Sequence, residues 1–95
     1  MALKDKPNHM NEDGFLYCYD VDKIPRYYAS RAEWRRRGYK VVDNKPAGNC
    51  YYWNGQSYLD FYLYELGQVV PIRGEKAKQR RDKFNCLQTI TNDVQ

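Results

Sequence analysis

The chain has 95 residues, 42% of them hydrophobic and 16% aromatic, and a formal net charge of +4. That length suits one domain near the lower limit for a self-sufficient core, and no apolar run approaches the roughly 20 residues of a membrane span. The segment Lys4-Asp-Lys-Pro-Asn-His9 lacks the apolar stretch of a signal peptide, so the expected setting is cytoplasmic, in a cell or an infected host cell, with no membrane partner.

Charge placement says more than the sum. Residues 1–25 hold three lysines against five acids, whereas residues 26–48 hold seven Lys or Arg against two acids. Residues 49–70 add only Asp60 and Glu65, and residues 71–95 carry six basic against three acidic groups. The base therefore comes in two blocks, around Arg31 to Arg37 and from Arg73 to Lys83. A positive patch is expected wherever the fold joins them, of the kind that suits nucleic acid or an acidic protein.

Residues 1–13 are polar, contain Pro7 and lack periodicity, which predicts a flexible arm ahead of a single domain over 14–95. Gly14 to Tyr19 reads as a first strand, with Phe15, Tyr17 and Tyr19 on one face and Leu16 and Cys18 on the other. Pro25 turns the chain. Ser30-Arg-Ala-Glu33 is a capping box, which predicts a short helix through Arg31 to Arg37 stopped by Gly38. Trp34 is the only large apolar side chain on that helix and so its anchor, leaving Arg31, Arg35 and Arg37 to face out. Tyr39 to Val42 reads as a second strand.

Cys50 to Leu66 spells an aromatic hairpin. Asn54-Gly55 is the preferred pair for a two-residue type I′ turn, which sets Trp53 opposite Gln56, Tyr51 opposite Tyr58 and Cys50 opposite Leu59. Period-two alternation puts Cys50, Tyr52, Leu59, Phe61 and Leu63 on a core face, and Tyr51, Trp53, Gln56, Tyr58, Asp60, Tyr62 and Tyr64 on the other. One more extended stretch, punctuated by Pro71, precedes a helix from Glu75 to about Ile90. Along one side of it run Ala77, Phe84, Leu87 and Ile90, with Lys76, Lys78, Arg80, Arg81 and Lys83 around the rest. The fold class expected is α+β: a small antiparallel β-meander with a short inserted helix and a C-terminal helix packed on one face.

Little in the chain points to catalysis. His9 is the one histidine and lies in the arm, no glycine-rich phosphate loop occurs, and Asp60 and Glu65 point to opposite faces of a strand. Cys18, Cys50 and Cys86 are odd in number and widely spaced, as buried free thiols are. No metal or cofactor is expected, and the chain reads as a non-enzyme. Rings beside arginines are its chief feature: single-stranded nucleic acid is held by a basic groove with stacking platforms, and the same residue types dominate protein interfaces. The candidate binding residues are Arg31, Arg35, Arg36, Arg37, Lys40 and Lys45 for the groove and Tyr51, Trp53, Tyr58, Tyr62 and Tyr64 for the platform.

Residues 31–47 also carry the order Trp34, Gly38, Val41, Pro46 before an extended segment. This resembles the tryptophan–glycine–valine stretch near the start of ArdC-type antirestriction proteins and related small phage and plasmid proteins. In that family the stretch is followed by a Lys-Gly-Glu-Lys turn, where this chain has Asp43-Asn44-Lys45-Pro46. The family's N-terminal part is associated with single-stranded DNA, so the resemblance implies a mobile-element origin and adds weight to nucleic acid. The leading expectation is a small non-enzymatic phage or mobile-element accessory protein binding nucleic acid, single-stranded or within a nucleoprotein complex. The alternative is a protein-directed inhibitor of a host defence system or host enzyme, of anti-CRISPR or antirestriction type. A structural subunit is a third class, and a homodimer is one way for so small a chain to add to its core.

Overall fold

In a computed structural model the backbone is described for residues 5–94 and the side chains for residues 5–86. Leu87 and Ile90, expected on the apolar side of the last helix, lie outside the described side chains. The fold is α+β. Strands β1 (His9–Met10), β2 (Leu16–Cys18), β3 (Tyr28–Ala29), β5 (Gly48–Trp53) and β6 (Tyr58–Glu65) form one sheet in the order β1-β2-β5-β6-β3, and β4 (Tyr39–Val41) pairs with β7 (Val69–Pro71) in a second. The helices are α1 (Arg31–Arg36) and α2 (Glu75–Val94).

Three pairings depart from a meander, because β2–β5, β3–β6 and β4–β7 each join strands that are not consecutive in the chain. β2 runs parallel to β5, with Cys18 beside Cys50, because the chain between them passes through β3, α1 and β4 and re-enters the sheet in the same direction. The segment expected to be a free arm supplies β1, with His9 opposite Tyr17 and Met10 opposite Leu16. Asn11 fixes the intervening bend, its carboxamide oxygen accepting from the amides of Asp13 at 3.0 Å and Phe15 at 2.9 Å.

The hairpin register is shifted from the one Asn54-Gly55 predicts. Trp53 faces Tyr58, Tyr51 faces Asp60 and Cys50 faces Phe61, so residues 54–57 make a four-residue loop. Asn54 is the reason: its side-chain oxygen accepts from Gln56 and Ser57, both at 2.8 Å, while its amide donates to the Ser57 carbonyl at 3.0 Å. This side-chain cap competes with the type I′ turn and wins. Gly55, at φ +101°, supplies the left-handed residue. The shift is by two positions, so the division of side chains between the faces survives.

Each face builds its own small core. Leu16, Cys18, Cys50 and Leu63 are buried on one, with Ile24, Tyr28, Tyr52 and Phe61 packed against them. Leu59, expected to join this set, is 44% exposed: it pairs with Tyr52 near the hairpin tip, past the reach of Ile24 and Tyr28. On the other face Ala29, Trp34 and Tyr64 are buried, with Tyr39, Val41, Val69 and Phe84 around them. Trp34 is fully buried and its indole Nε1 donates to the Tyr64 carbonyl at 2.7 Å.

α1 begins as its residues dictate, the Ser30 hydroxyl accepting from the Glu33 amide at 3.1 Å. The Glu33 carboxylate turns to Arg36 at 3.0 Å and Arg37 at 3.4 Å. Gly38 ends the helix at φ +91°, and a Cβ there would collide with the Ala77 carbonyl and with Arg81. α2 docks at that point: the Arg81 guanidinium donates to the carbonyls of Gly38 at 2.8 Å and Ile72 at 2.7 Å. The C-terminal helix thus lies on the Trp34 side, against α1 and β4. Among the described residues no helix is long and apolar enough to cross a membrane.

Candidate binding surface

The side of the sheet opposite Leu63 is divided in two. Where β3 and β6 meet, α1 covers it and buries Tyr64 to 6% exposure. Beyond that point nothing among the described residues covers it. Tyr51, Trp53, Tyr58 and Tyr62 are 41%, 54%, 42% and 56% exposed. They stand in three cross-strand rows. His9, Tyr17, Asn49 and Tyr62 form the first, Tyr51 and Asp60 the second, Trp53 and Tyr58 the third.

Most of the rings in these rows are packed on a neighbour. Tyr51 stacks on Tyr58 with centroids 4.9 Å apart and planes 10° apart, and Trp53 meets Tyr58 at 5.0 Å and 60°. His9 stacks on Tyr17 at 4.9 Å, which brings the histidine expected in a mobile arm into the ring surface. Asp60 sits centrally in the surface, accepting from the Asn49 carboxamide at 3.2 Å. Sequence reasoning does not find His9, Tyr17 and Asn49, because their membership depends on β1–β2 and parallel β2–β5 pairing, which no local pattern encodes.

The arginine block is dispersed rather than arrayed beside these rings. Arg37 faces inward, contrary to the outward orientation expected, with its guanidinium 5.0 Å from the Trp34 ring and 4.6 Å from the Phe84 ring. It donates to the Arg26 carbonyl at 3.1 Å. Burial lowers its pKa, with Glu33 opposing that shift. A flat, weakly hydrated cation covers apolar rings well, so packing claimed this residue. Arg31 lies over Tyr64, 5.0 Å from the ring, and donates to its hydroxyl at 3.3 Å and to Asn44 at 3.0 Å. Arg35 and Arg36 are exposed on α1, Arg36 in its ion pair with Glu33. Lys40 is exposed on β4, and Lys45 lines a cleft of about 530 Å³ with Asp43, Glu65 and buried Gln68, which adjoins the ring surface at Tyr17. No cation stands over Tyr51, Trp53, Tyr58 or Tyr62 among the described residues. Tyr64, placed in the platform by its parity, is instead a core residue, because α1 docks Trp34 upon it.

Gln68 is a further residue the sequence does not single out. Its carboxamide oxygen accepts from the Glu65 amide at 2.8 Å while its nitrogen donates to the carbonyls of Lys45 and Asp43. It pins the loop after β4 to the end of β6.

On the core side of the hairpin a groove of about 590 Å³ is lined by Val21, Ile24, Tyr28, Tyr52 and Phe61 together with Glu33, Arg36 and Arg37 of the α1 segment. Burial pushes the thiols of Cys18 and Cys50 up, that of Cys50 to about 11 with Cys18 and Asp20 adding to the effect. Neither is a thiolate at neutral pH, so neither is poised as a nucleophile. No cluster of three or more His, Cys, Asp or Glu side chains suited to a metal occurs among the described residues. Comparison with protein-family models, with curated proteins and with solved structures finds no match to this chain.

Proposed function

We propose that this chain is a non-enzymatic binding protein whose working surface is the ring face of the β5–β6 hairpin, and that the ligand of that surface is a protein. The carrying observation is the exposed, mutually packed set Tyr51, Trp53 and Tyr58 beside Asp60, with Tyr62 exposed on the same face. Rings already held by their neighbours lose little conformational freedom on docking, and Tyr and Trp are the residues that carry protein interfaces. Two features weigh against a single-stranded nucleic acid here. Tyr58 has its ring engaged by Tyr51 and by Trp53, leaving less open face for a base, and the Asp60 carboxylate repels phosphates where a basic groove is required. A component of a host defence or nucleoprotein complex is the partner class in keeping with the antirestriction-like stretch over residues 31–47.

The test is affinity capture from nuclease-treated host lysate with the wild-type chain and with a Tyr51→Ala/Trp53→Ala variant. A defined protein retained by the first and lost by the second is the expected result. Recovery that vanishes on nuclease treatment, or that is equal for both chains, overturns the reading.

A further inference from the structure

The two basic blocks of the sequence, remote from each other along the chain, meet in the fold at the junction of α1 with α2. Gly38 lies against the Ala77 carbonyl, Arg81 bridges Gly38 and Ile72, and Arg26 donates to the Phe84 carbonyl at 2.6 Å while its guanidinium lies 4.2 Å from the Phe84 ring. Ala77, Arg81 and Phe84, at i, i+4 and i+7, are the stripe by which α2 docks. The adjoining stripe, Lys76, Arg80 and Lys83 with Gln79 beside it, is exposed. These residues also share one shallow surface groove. No carboxylate pairs with Lys76, Arg80 or Lys83 among the described residues, whereas Arg36 and Arg37 on α1 share an ion pair with Glu33.

We infer that Lys76, Arg80 and Lys83 form a docking site for the phosphate backbone of a nucleic-acid duplex, separate from the ring face. Charge complementarity selects a polyanion: three cations on successive turns of one helix face follow a row of phosphates as a rigid unit. The scarcity of open ring faces selects the duplex. At this end Trp34 is buried, Tyr39 and Phe84 are partly covered within its cluster, and the exposed Tyr27 has the Arg26 guanidinium 5.8 Å from its ring, so the unstacked bases of a single strand find little platform, whereas a duplex presents phosphates with its bases already stacked. Arg35, exposed near the end of α1, extends the same positive end of the molecule. The site rests on observations independent of the hairpin and stands or falls apart from the protein-binding reading.

The experiment is fluorescence anisotropy of a short labelled DNA duplex, and of one of its strands alone, titrated with the full chain over a series of salt concentrations. The wild-type chain is expected to bind the duplex more tightly than the strand, with affinity falling linearly on a log–log plot against salt. Lys76→Gln/Arg80→Gln/Lys83→Gln should reduce that slope by about 0.9 for each phosphate no longer neutralised, two to three units in all, and weaken binding about tenfold or more at low salt. A Lys76→Arg/Lys83→Arg variant, which keeps the charge, should retain the slope. Absence of duplex binding at low salt, preference for the single strand, or a slope unchanged in the triple Gln variant overturns the inference.

Discussion

The Trp34 indole donates to the Tyr64 carbonyl across 2.7 Å, and this bond ties α1 to the sheet at the point where the ring face stops being exposed. Because it forms in a fully buried position, its loss leaves a carbonyl without water to replace the donor. The same contact decides that Tyr64 is core while Tyr62, two residues earlier on the same face, is surface.

Trp34→Ala should therefore cost ~3–5 kcal/mol, the range for truncating a buried aromatic side chain. Trp34→Phe keeps most of the ring contact with Tyr39 and Phe84 but removes the donor, and is expected to cost ~1–3 kcal/mol. Urea denaturation of the two variants separates packing from hydrogen bonding, since the difference between them reports the former.

Gly38→Ala tests the docking of α2. The substitution places a side chain at φ +91° and against the Ala77 carbonyl and Arg81. Left-handed strain contributes ~1–2 kcal/mol and overpacking another ~1–3 kcal/mol. In thermal melts, a loss confined to the ~1–2 kcal/mol of left-handed strain would mean that α2 does not seat on this glycine.

The two faces of the hairpin should respond differently to truncation. Leu63→Ala, at a fully buried position, is expected to destabilise by ~2–5 kcal/mol. Leu59→Ala, at a position 44% exposed, should stay within ~1 kcal/mol. Tyr51→Ala with Trp53→Ala should leave the chain folded and remove its partner. Thermal melts of the three variants, read beside the capture experiment, check the division.

Alkali should destabilise the fold through Cys50. Its thiol is pushed up to about 11 in the folded chain from an ordinary value of 9.0. The unfolded state therefore releases its proton first as pH rises. Stability from this thiol is fully present below pH 9 and is lost as pH rises through about 11, a difference on the order of 2–3 kcal/mol. Chemical denaturation at a series of alkaline pH values should show the decline, and Cys50→Ala should make it shallower, the buried Cys18 thiol and Tyr28 contributing what is left.

The local devices of this fold are legible in the sequence because each depends on residues a few positions apart. The Ser30 cap, the Gly38 stop, the anchoring role of Trp34 and the alternation that separates Leu63 from Tyr62 all follow from backbone geometry and side-chain chemistry within a turn or a strand. The hairpin loop departs from expectation for a reason that is itself local: Asn54 offers two competing turn chemistries, and its side-chain cap prevails. A register shift of two residues leaves the faces intact, which is why the candidate rings Tyr51, Trp53, Tyr58 and Tyr62 share one surface as expected.

What only the tertiary structure decided is which long-range neighbours each residue acquired. Parallel pairing of β2 with β5 set Cys18 beside Cys50 and carried Tyr17 and His9 into the ring surface, a choice made by the path of the intervening chain. Arg37 turned inward and Tyr64 was covered because α1 and α2 converge on Trp34, and a guanidinium can gain more by covering rings than by remaining hydrated. The two basic blocks came together at Gly38 and Ala77, away from the hairpin rings, since only a residue without a side chain allows α2 to approach so closely. Periodicity assigns a residue to a face, but whether that face is covered depends on segments far away in the chain, and their docking is a property of the assembled core.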